Sequence, residues 1–332
     1  MKIKETTFRT VPPAAEFPFK INYSKRAAFV GSCFTEHIGR RMESLKFPVL
    51  VNPFGILYNP VSVKNAVNRI ILGLDFTEQD LVYHKGLWHS MMHHGDYSSP
   101  DQRQCLKKIN DSIKDAEAFL QKADVLFITF GTAWLYEYKA TGEAVGNCHK
   151  LPGEAFNKRL LNADEITIEF YQLLNDLQNY NPNLEVVLSV SPVRHLKDGF
   201  YENTISKAVL SVAIHQISER FENVHYFPSY ELLQDDLRDY RFYADDLIHP
   251  SGKAVDYIFQ YFSDAFFGPT VEQRMAEVEQ IVKAARHRII HPGTKENRIF
   301  AQNILTKIEA QTSKSPKLDF SAEEKHFKDL LA

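Results

Sequence analysis

The sequence has little cysteine: Cys33, Cys105 and Cys148 are its whole complement among 332 residues. So odd and sparse a set is no disulfide framework, and it fits a reducing compartment. No apolar stretch approaches the roughly 18 residues of a membrane-spanning helix. The first twenty residues carry Lys2, Lys4 and Arg9 but no apolar run of the kind a signal peptide needs. A cytoplasmic location is the expectation. Charge of one sign is also missing, with 39 Lys and Arg against 42 Asp and Glu and a net of -3. That balance predicts neither nucleic-acid binding nor an acidic tail. Gly-x-Gly-x-x-Gly and Gly-Lys-Ser/Thr patterns are absent, as are Cys-x-x-Cys and His-Glu-x-x-His, so no cofactor is expected. Internal repeats and low-complexity segments are not found.

Aromatic residues are plentiful, with 24 Phe and 15 Tyr, and 44% of the chain is hydrophobic, enough for a large core. Residues 1–25, with Pro12, Pro13 and Pro18, predict an extended strap. Short apolar runs then alternate with helical stretches. Arg26 to Val30, Phe47 to Val51, Asp124 to Phe130, Glu185 to Val190 and Val224 to Phe227 have the look of buried strands. Helices are expected over 35–45, with Thr35 as N-cap, and over 59–74, 101–123, 164–180, 203–221 and 251–266. Residues 75–100 predict a hairpin or long loop, and 132–160 an irregular or hairpin-like stretch. The alternation predicts an α/β domain over 26–268 with a mostly parallel sheet covered on both faces. Residues 269–332 form three amphipathic segments broken near Pro292-Gly293 and Ser313–Pro316. These predict a helical extension packed on the same domain.

Sites in open α/β sheets form at the carboxyl ends of the strands. The first strand ends in Gly31-Ser32-Cys33-Phe34-Thr35, a tight turn into a helix. A helix N-terminus there favours both a thiolate and an oxyanion, and the nucleophile's own amide could hold that oxyanion. The last strand is followed by Asp246-Leu247-Ile248-His249-Pro250. A carboxylate three residues before an imidazole can fix its tautomer and support the imidazolium formed on proton uptake. Asp245 competes for that role; the spacing favours Asp246. Chain order is nucleophile, acid, base. Either Cys33 or Ser32 could be the nucleophile, with Ser32 otherwise a helix cap and Cys33 otherwise a small buried hydrophobe.

These blocks resemble the SGNH/GDSL hydrolases, and more closely the GSCFA family within them. Gly31-Ser32-Cys33-Phe34-Thr35 is similar to the opening Gly-Asp-Ser-Leu block, and Asp246 to Pro250 to the Asp-x-x-His-Pro block. Asn52-Pro53-Phe54-Gly55, Phe130 to Trp134, Asn147-Cys148-His149-Lys150 and Ser191 to His195 carry the GSCFA resemblance, which spans roughly residues 25–265. It implies a flavodoxin-like three-layer α/β/α sandwich and hydrolysis or acyl transfer of an ester, with a small molecule or carbohydrate O-acyl group as substrate. Aligned on Gly31, Cys33 takes the place of the serine nucleophile and Ser32 that of the aspartate. Gly55 matches the glycine whose amide faces the oxyanion. Ala133 and Trp134 stand where the third block has Asn-Asp, which leaves Asn147 as the candidate third donor.

Trp134, His149, Arg194 and His195 are candidate substrate-binding residues, Arg194 for an anionic group; each could equally be structural. Two rival functions follow from specific features. The altered third block suits a non-catalytic binding protein on the same fold. His84, His89, His93 and His94 suit a metal-dependent hydrolase, since His89 and His93 are spaced i, i+4, a spacing that serves a metal only on a helix.

Overall fold

Alternation of period two decides the core. Along β1 (Ala27–Gly31), β5 (Val125–Phe130) and β9 (Glu185–Val190), Ala28, Val30, Leu126, Ile128, Phe130, Val186, Leu188 and Val190 face one side and are buried there. Ala27, Phe29, Val125, Phe127 and Val187 face the other side and are buried as well. A strand apolar on both faces must be covered on both. In the computed structural model, which describes residues 10–13, 15–287, 290, 293–315 and 317–331, helices do cover both faces. The central sheet is five-stranded and all parallel, in the order β10-β9-β5-β1-β2, with β2 at Val49–Val51 and β10 at Val224–Tyr226. Numbered among themselves these strands run 2-1-3-4-5, the flavodoxin-like order, and the order reverses between β1 and β5. The molecule is therefore the expected three-layer α/β/α sandwich.

One layer holds α2 (Pro60–Ile71), α3 (Gln102–Leu120), α4 (Ala163–Tyr180) and α5 (Phe200–Ser218). Caps fix several starts. Asn59, Asp101 and Asn162 accept backbone N–H groups of the first turn, and Asn162 with Glu165 closes a capping box. The other layer holds α1 (Cys33–Ser44) and α7 (Gly252–Phe266). Gly39 lets α1 lie close on the sheet: a Cβ there would stand 2.8 Å from Val51 Cγ2. Between β10 and α7 lie the short α6 (Ser229–Glu231) and a π-helical stretch, Leu232–Leu237. The helices α8 (Pro269–Arg286), α9 (Lys295–Lys314) and α10 (Ser321–Asp329) put Val278, Ile281, Ala301, Ile304, Ile308 and Phe327 into the same core as α1 and α7.

Of the strap, residues 10–13 and 15–25 form neither helix nor strand. The Ile21 amide donates to the Phe266 carbonyl at 2.7 Å, and Phe17 stacks on Phe266. Residues 1–9, 14, 292 and 316 lie outside the described residues, among them the expected breaks at Pro292 and Pro316. Residues 75–100 contain a hairpin of β3 (Leu81–His84) and β4 (Leu87–Ser90). The stretch 132–160, expected to be irregular or a hairpin, is a three-stranded antiparallel sheet of β7-β6-β8: β6 at Trp134–Tyr138, β7 at Glu143–Ala144 and β8 at Phe156–Leu160. Among the described residues, no helix is long and apolar enough to cross a membrane.

Candidate active site

The turn after β1 is built on Gly31. Its φ is +138°, and a Cβ there would lie 2.3 Å from the Thr129 carbonyl oxygen on β5. Only glycine fits. Its amide donates to Asn52 Oδ1 at 2.9 Å and its carbonyl accepts from the Leu57 amide at 2.9 Å. Ser32 follows as the N-cap residue of α1, extended at φ -70° and ψ 171°. The helix thus begins two residues before the expected start, and Thr35 lies inside its first turn with a buried hydroxyl, not at the cap. Ser32 is 0% exposed, and its hydroxyl neither caps the helix nor meets another partner. Cys33 opens α1 and is half-buried with a free thiol. Burial pushes this thiol up. The Phe34 and Cys33 amides and the positive charge of Lys207 oppose that shift, and Glu36 adds to it.

The second loop closes as a tight turn. The Ala244 amide donates to the His249 carbonyl at 2.8 Å and the Leu247 amide to the Ala244 carbonyl at 2.9 Å. Leu247 takes a left-handed conformation, φ +58°, to make it. Asp246 organises the interior of the turn. Its Oδ1 accepts the amides of Ile248 at 2.9 Å and His249 at 3.0 Å, and its Oδ2 meets His249 Nδ1 at 2.6 Å. These bonds, that of the His249 amide foremost, hold the carboxyl at about 2. An ionised carboxylate only accepts, so Nδ1 carries the proton and Nε2 is the free basic nitrogen of the neutral ring.

The remaining expected residues are distributed unevenly. The guanidinium of Arg194 donates to the Leu247 carbonyl and lies over the Tyr243 ring, 4.4 Å from its centroid. Its backbone amide points at the Ile248 carbonyl, 3.5 Å away. Arg194 thus ties the end of β9 to the His249 turn. His195 sits edge-on to Tyr58, with Nε2 buried and without a partner. Burial lowers it to about 4, with Lys207 and His249 adding and Asp198 opposing, so its ring is neutral at neutral pH. The Gly55 amide, expected to face an oxyanion, donates to the Asn52 carbonyl at 2.7 Å and is not free. The glycine is required by its φ of +74° and by His94, whose Cβ a side chain would strike. Asn147 uses Oδ1 to accept the His149 amide at 2.9 Å. Trp134, on β6, has the Lys158 ammonium over its ring, 4.5 Å from the centroid, and a buried indole N–H without a partner.

Two residues at the site were not singled out from the sequence. Asn52 bridges to Gly31, and its Nδ2 is buried with no partner. Lys207 is buried under the ends of β5 and β9, donating to the Gly131 and Ser191 carbonyls. A signal for Lys207 existed: with Leu210, Ile214 and Ile217 it follows the i, i+3, i+7, i+10 register of the buried face of α5.

The histidine-rich segment has a structural explanation. His89 lies on a strand, so the i, i+4 spacing with His93 does not put two rings on one face. His89 Nδ1 meets Ser98 Oγ, His93 Nδ1 meets Ser90 Oγ, and His149 donates from Nε2 to the Ser90 carbonyl while stacking on His89. Among the described residues, no group of three or more His, Cys, Asp or Glu side chains is placed to hold a metal ion. Burial lowers His93 to about 3 and His149 to about 4. In the unfolded chain both titrate near 6.5. Between that value and the folded one, the unfolded state binds more protons, so stability falls as pH falls. Thermal unfolding should therefore come at lower temperature as pH drops from 6.5 to 4.5. His149 alone accounts for on the order of 2 kcal/mol over that window. An unchanged midpoint across it would show that these rings are accessible to protons in the folded state.

No curated protein matches the chain. Among solved structures, a carbohydrate esterase family 3 protein from Talaromyces cellulolyticus aligns at 11% identity, with a TM-score of 0.36, over 76% of this chain and 99% of that one. The acetyl xylan esterase Est2A from the rumen bacterium Butyrivibrio proteoclasticus aligns at 12% identity and the same TM-score, over 73% of this chain and 63% of that one. The model of the GSCFA domain protein C-terminal domain matches residues 278–332. The GSCFA family model matches residues 26–262, so the chain belongs to the GSCFA family.

Proposed function

We propose that the protein is a thiol-dependent ester hydrolase or acyltransferase with Cys33 as nucleophile, His249 as base and Asp246 as its orienting carboxylate. The observation that carries this reading is the Asp246–His249 pair, bonded at 2.6 Å on a loop tied to the carboxyl end of the sheet. Both loops are tied to the carboxyl ends of adjacent strands: the Ser32 amide donates to the Thr129 carbonyl of β5 at 3.2 Å, and Arg194, just past β9, donates to the Leu247 carbonyl. Cys33 is favoured over Ser32 because its side chain is partly exposed while that of Ser32 is fully buried.

In the proposed reaction the Cys33 sulfur attacks the acyl carbon as His249 Nε2 takes the thiol proton. The tetrahedral oxyanion is held by the Cys33 amide and Asn52 Nδ2. The ester C–O bond then breaks, and the leaving alkoxide takes the proton from His249. A thioester remains on Cys33. Water, or an acceptor hydroxyl, attacks it with His249 again as base, the C–S bond breaks, and the proton returns to sulfur. The resemblance to SGNH hydrolases points to a carbohydrate O-acyl group as the ester.

Treatment with iodoacetamide and, separately, an activated fluorophosphonate, each read by mass spectrometry, tests the assignment. Cys33 should alkylate faster than Cys105 and Cys148 at neutral pH, aryl acetates should be cleaved, and Cys33→Ala should lose at least about a thousandfold in turnover. Fluorophosphonate labelling at Ser32 would transfer the role to the serine. No labelling at either residue and no cleavage of aryl acetates of several chain lengths would make this a binding protein on a hydrolase fold.

A further inference from the structure

Lys207 is 2% exposed, in the middle of α5, and its ammonium makes two bonds of 2.7 Å, to the carbonyls of Gly131 and Ser191. Gly131 and Ser191 directly follow β5 and β9, adjacent strands of the sheet. Among the described residues, no carboxylate bonds to the Lys207 ammonium. A buried cation with only neutral acceptors is expensive, and a sequence keeps one where a counter-charge is present or forms. The groups that face it are few. Cys33 follows Ser32, whose amide donates to the Thr129 carbonyl at 3.2 Å, two residues before the Gly131 that holds the ammonium; the Tyr230 ring is 5.8 Å away, and His195 Nε2 lies against Gly131. Of these, His195 becomes positive when it titrates and stays neutral above about 4. Around Cys33 itself stand Glu36, whose charge opposes a thiolate, and Tyr58, whose hydroxyl burial keeps protonated. His249 reaches His195 from beyond. Cys33 is thus the group among these best suited to become the anion that Lys207 lacks.

We propose that Lys207 is a positioning residue whose buried ammonium, fixed by the Gly131 and Ser191 carbonyls, stabilises the Cys33 thiolate as the thiol proton leaves. The inference rests on Cys33 being the nucleophile of the proposed reaction. The S–H bond breaks and the proton passes to His249; Lys207 gives no proton to the sulfur, so no further reactant is needed. The coupling is reciprocal: Lys207 favours the thiolate, and the thiolate favours the ammonium. Burial lowers Lys207 to about 7 against the upward pull of Cys33. The pair therefore titrates as a unit.

The pH dependence of Cys33 alkylation by iodoacetamide reads the first half of this coupling without any ester. In Lys207→Met and Lys207→Gln the Cys33 midpoint should rise by about one pH unit, a roughly tenfold slower alkylation at neutral pH. Cys148, which has Lys197 for its neighbouring charge, should be unchanged. A role confined to bracing the two carbonyls would lower the unfolding temperature and leave the Cys33 midpoint where it was. That result in a folded variant overturns the proposal. Should both variants fail to fold, Cys33→Ala carries the reciprocal test. The 15N resonance of the Lys207 side chain should titrate at lower pH in Cys33→Ala than in the wild type, and identical titrations overturn the proposal. Both readouts stand if aryl acetates prove not to be substrates, so failure of the ester reading and failure of this one are distinguishable.

Discussion

Asp246→Asn should lower kcat/KM for an aryl acetate by roughly 10³–10⁴, with the fold intact. The size follows from the tautomer. In the native turn Oδ1 accepts two amides and Oδ2 accepts the Nδ1 proton. An asparagine can keep its oxygen on the two amides, but it then presents an NH2 group to Nδ1. Two donors cannot face each other, so the proton moves to Nε2, and the nitrogen proposed to accept the thiol proton no longer can. His249→Ala removes the base outright and should cost about as much. Neither change empties a core, because both side chains are about half exposed. Far-ultraviolet circular dichroism and the unfolding midpoint should therefore stay near wild type while turnover collapses. Alkylation of Cys33 by iodoacetamide needs no leaving-group protonation and should survive in Asp246→Asn far better than turnover does. Turnover within tenfold of wild type in Asp246→Asn would remove Asp246 from the mechanism, and the same result in His249→Ala would direct attention to His195, the neutral ring beside Gly131.

The sandwich was legible because its strands are short apolar runs that end in glycine or proline, and because helix spacing separates them. Gly31 and Gly131 mark two strand ends by composition alone. Less legible was the exact start of α1. Thr35 is a good cap by type, but the chain turns already at Gly31, and Ser32 takes the N-cap position with its side chain turned inward, where type-based capping rules do not see it. The small antiparallel sheet over β6, β7 and β8 escaped because β8, Phe156–Leu160, exposes Asn157, Lys158 and Arg159 and has no buried face of period two.

At the site, local spacing was informative and distant pairing was not. Asp246 and His249 are three residues apart, so one turn suffices to join them. The proposed oxyanion donors come from long-range packing. The Gly55 amide is taken by Asn52, three residues back, and the nitrogen left without a partner belongs to Asn52 itself. Lys207 escaped because a single lysine in an amphipathic helix is ordinarily placed on the solvated face. Its register with Leu210, Ile214 and Ile217 argued otherwise, but only the positions of Gly131 and Ser191 reveal what it touches.

Phe266→Ala should destabilise the fold by about 3–5 kcal/mol. The ring is fully buried at the end of α7 and joins three parts of the molecule. Phe17 of the strap stacks on it at 4.2 Å between centroids, Phe262 lies 4.6 Å away on the same helix face, and Phe127 of β5 meets it edge-on at 5.2 Å. Truncation leaves a cavity that none of these can fill without abandoning another contact, since β5 is held by neighbours on both sides and Phe262 also packs on Phe227 and Phe259. The strap is the element free to respond. Its bond from Ile21 goes to the backbone carbonyl of Phe266 and survives the substitution, whereas the Phe17 stack does not. Phe266→Leu, which keeps most of the volume, should cost distinctly less, and Phe17→Ala combined with Phe266→Ala should cost less than the sum of the two, because they remove one shared contact. Urea unfolding gives the stabilities. Limited proteolysis gives the location, with cleavage between residues 10 and 25 expected to precede cleavage of the sheet. If the double variant is fully additive, the strap does not share the Phe266 contact in solution, and its seat on α7 is held by the Ile21 bond to the Phe266 carbonyl and by Tyr261, whose hydroxyl donates to the Pro13 carbonyl, instead.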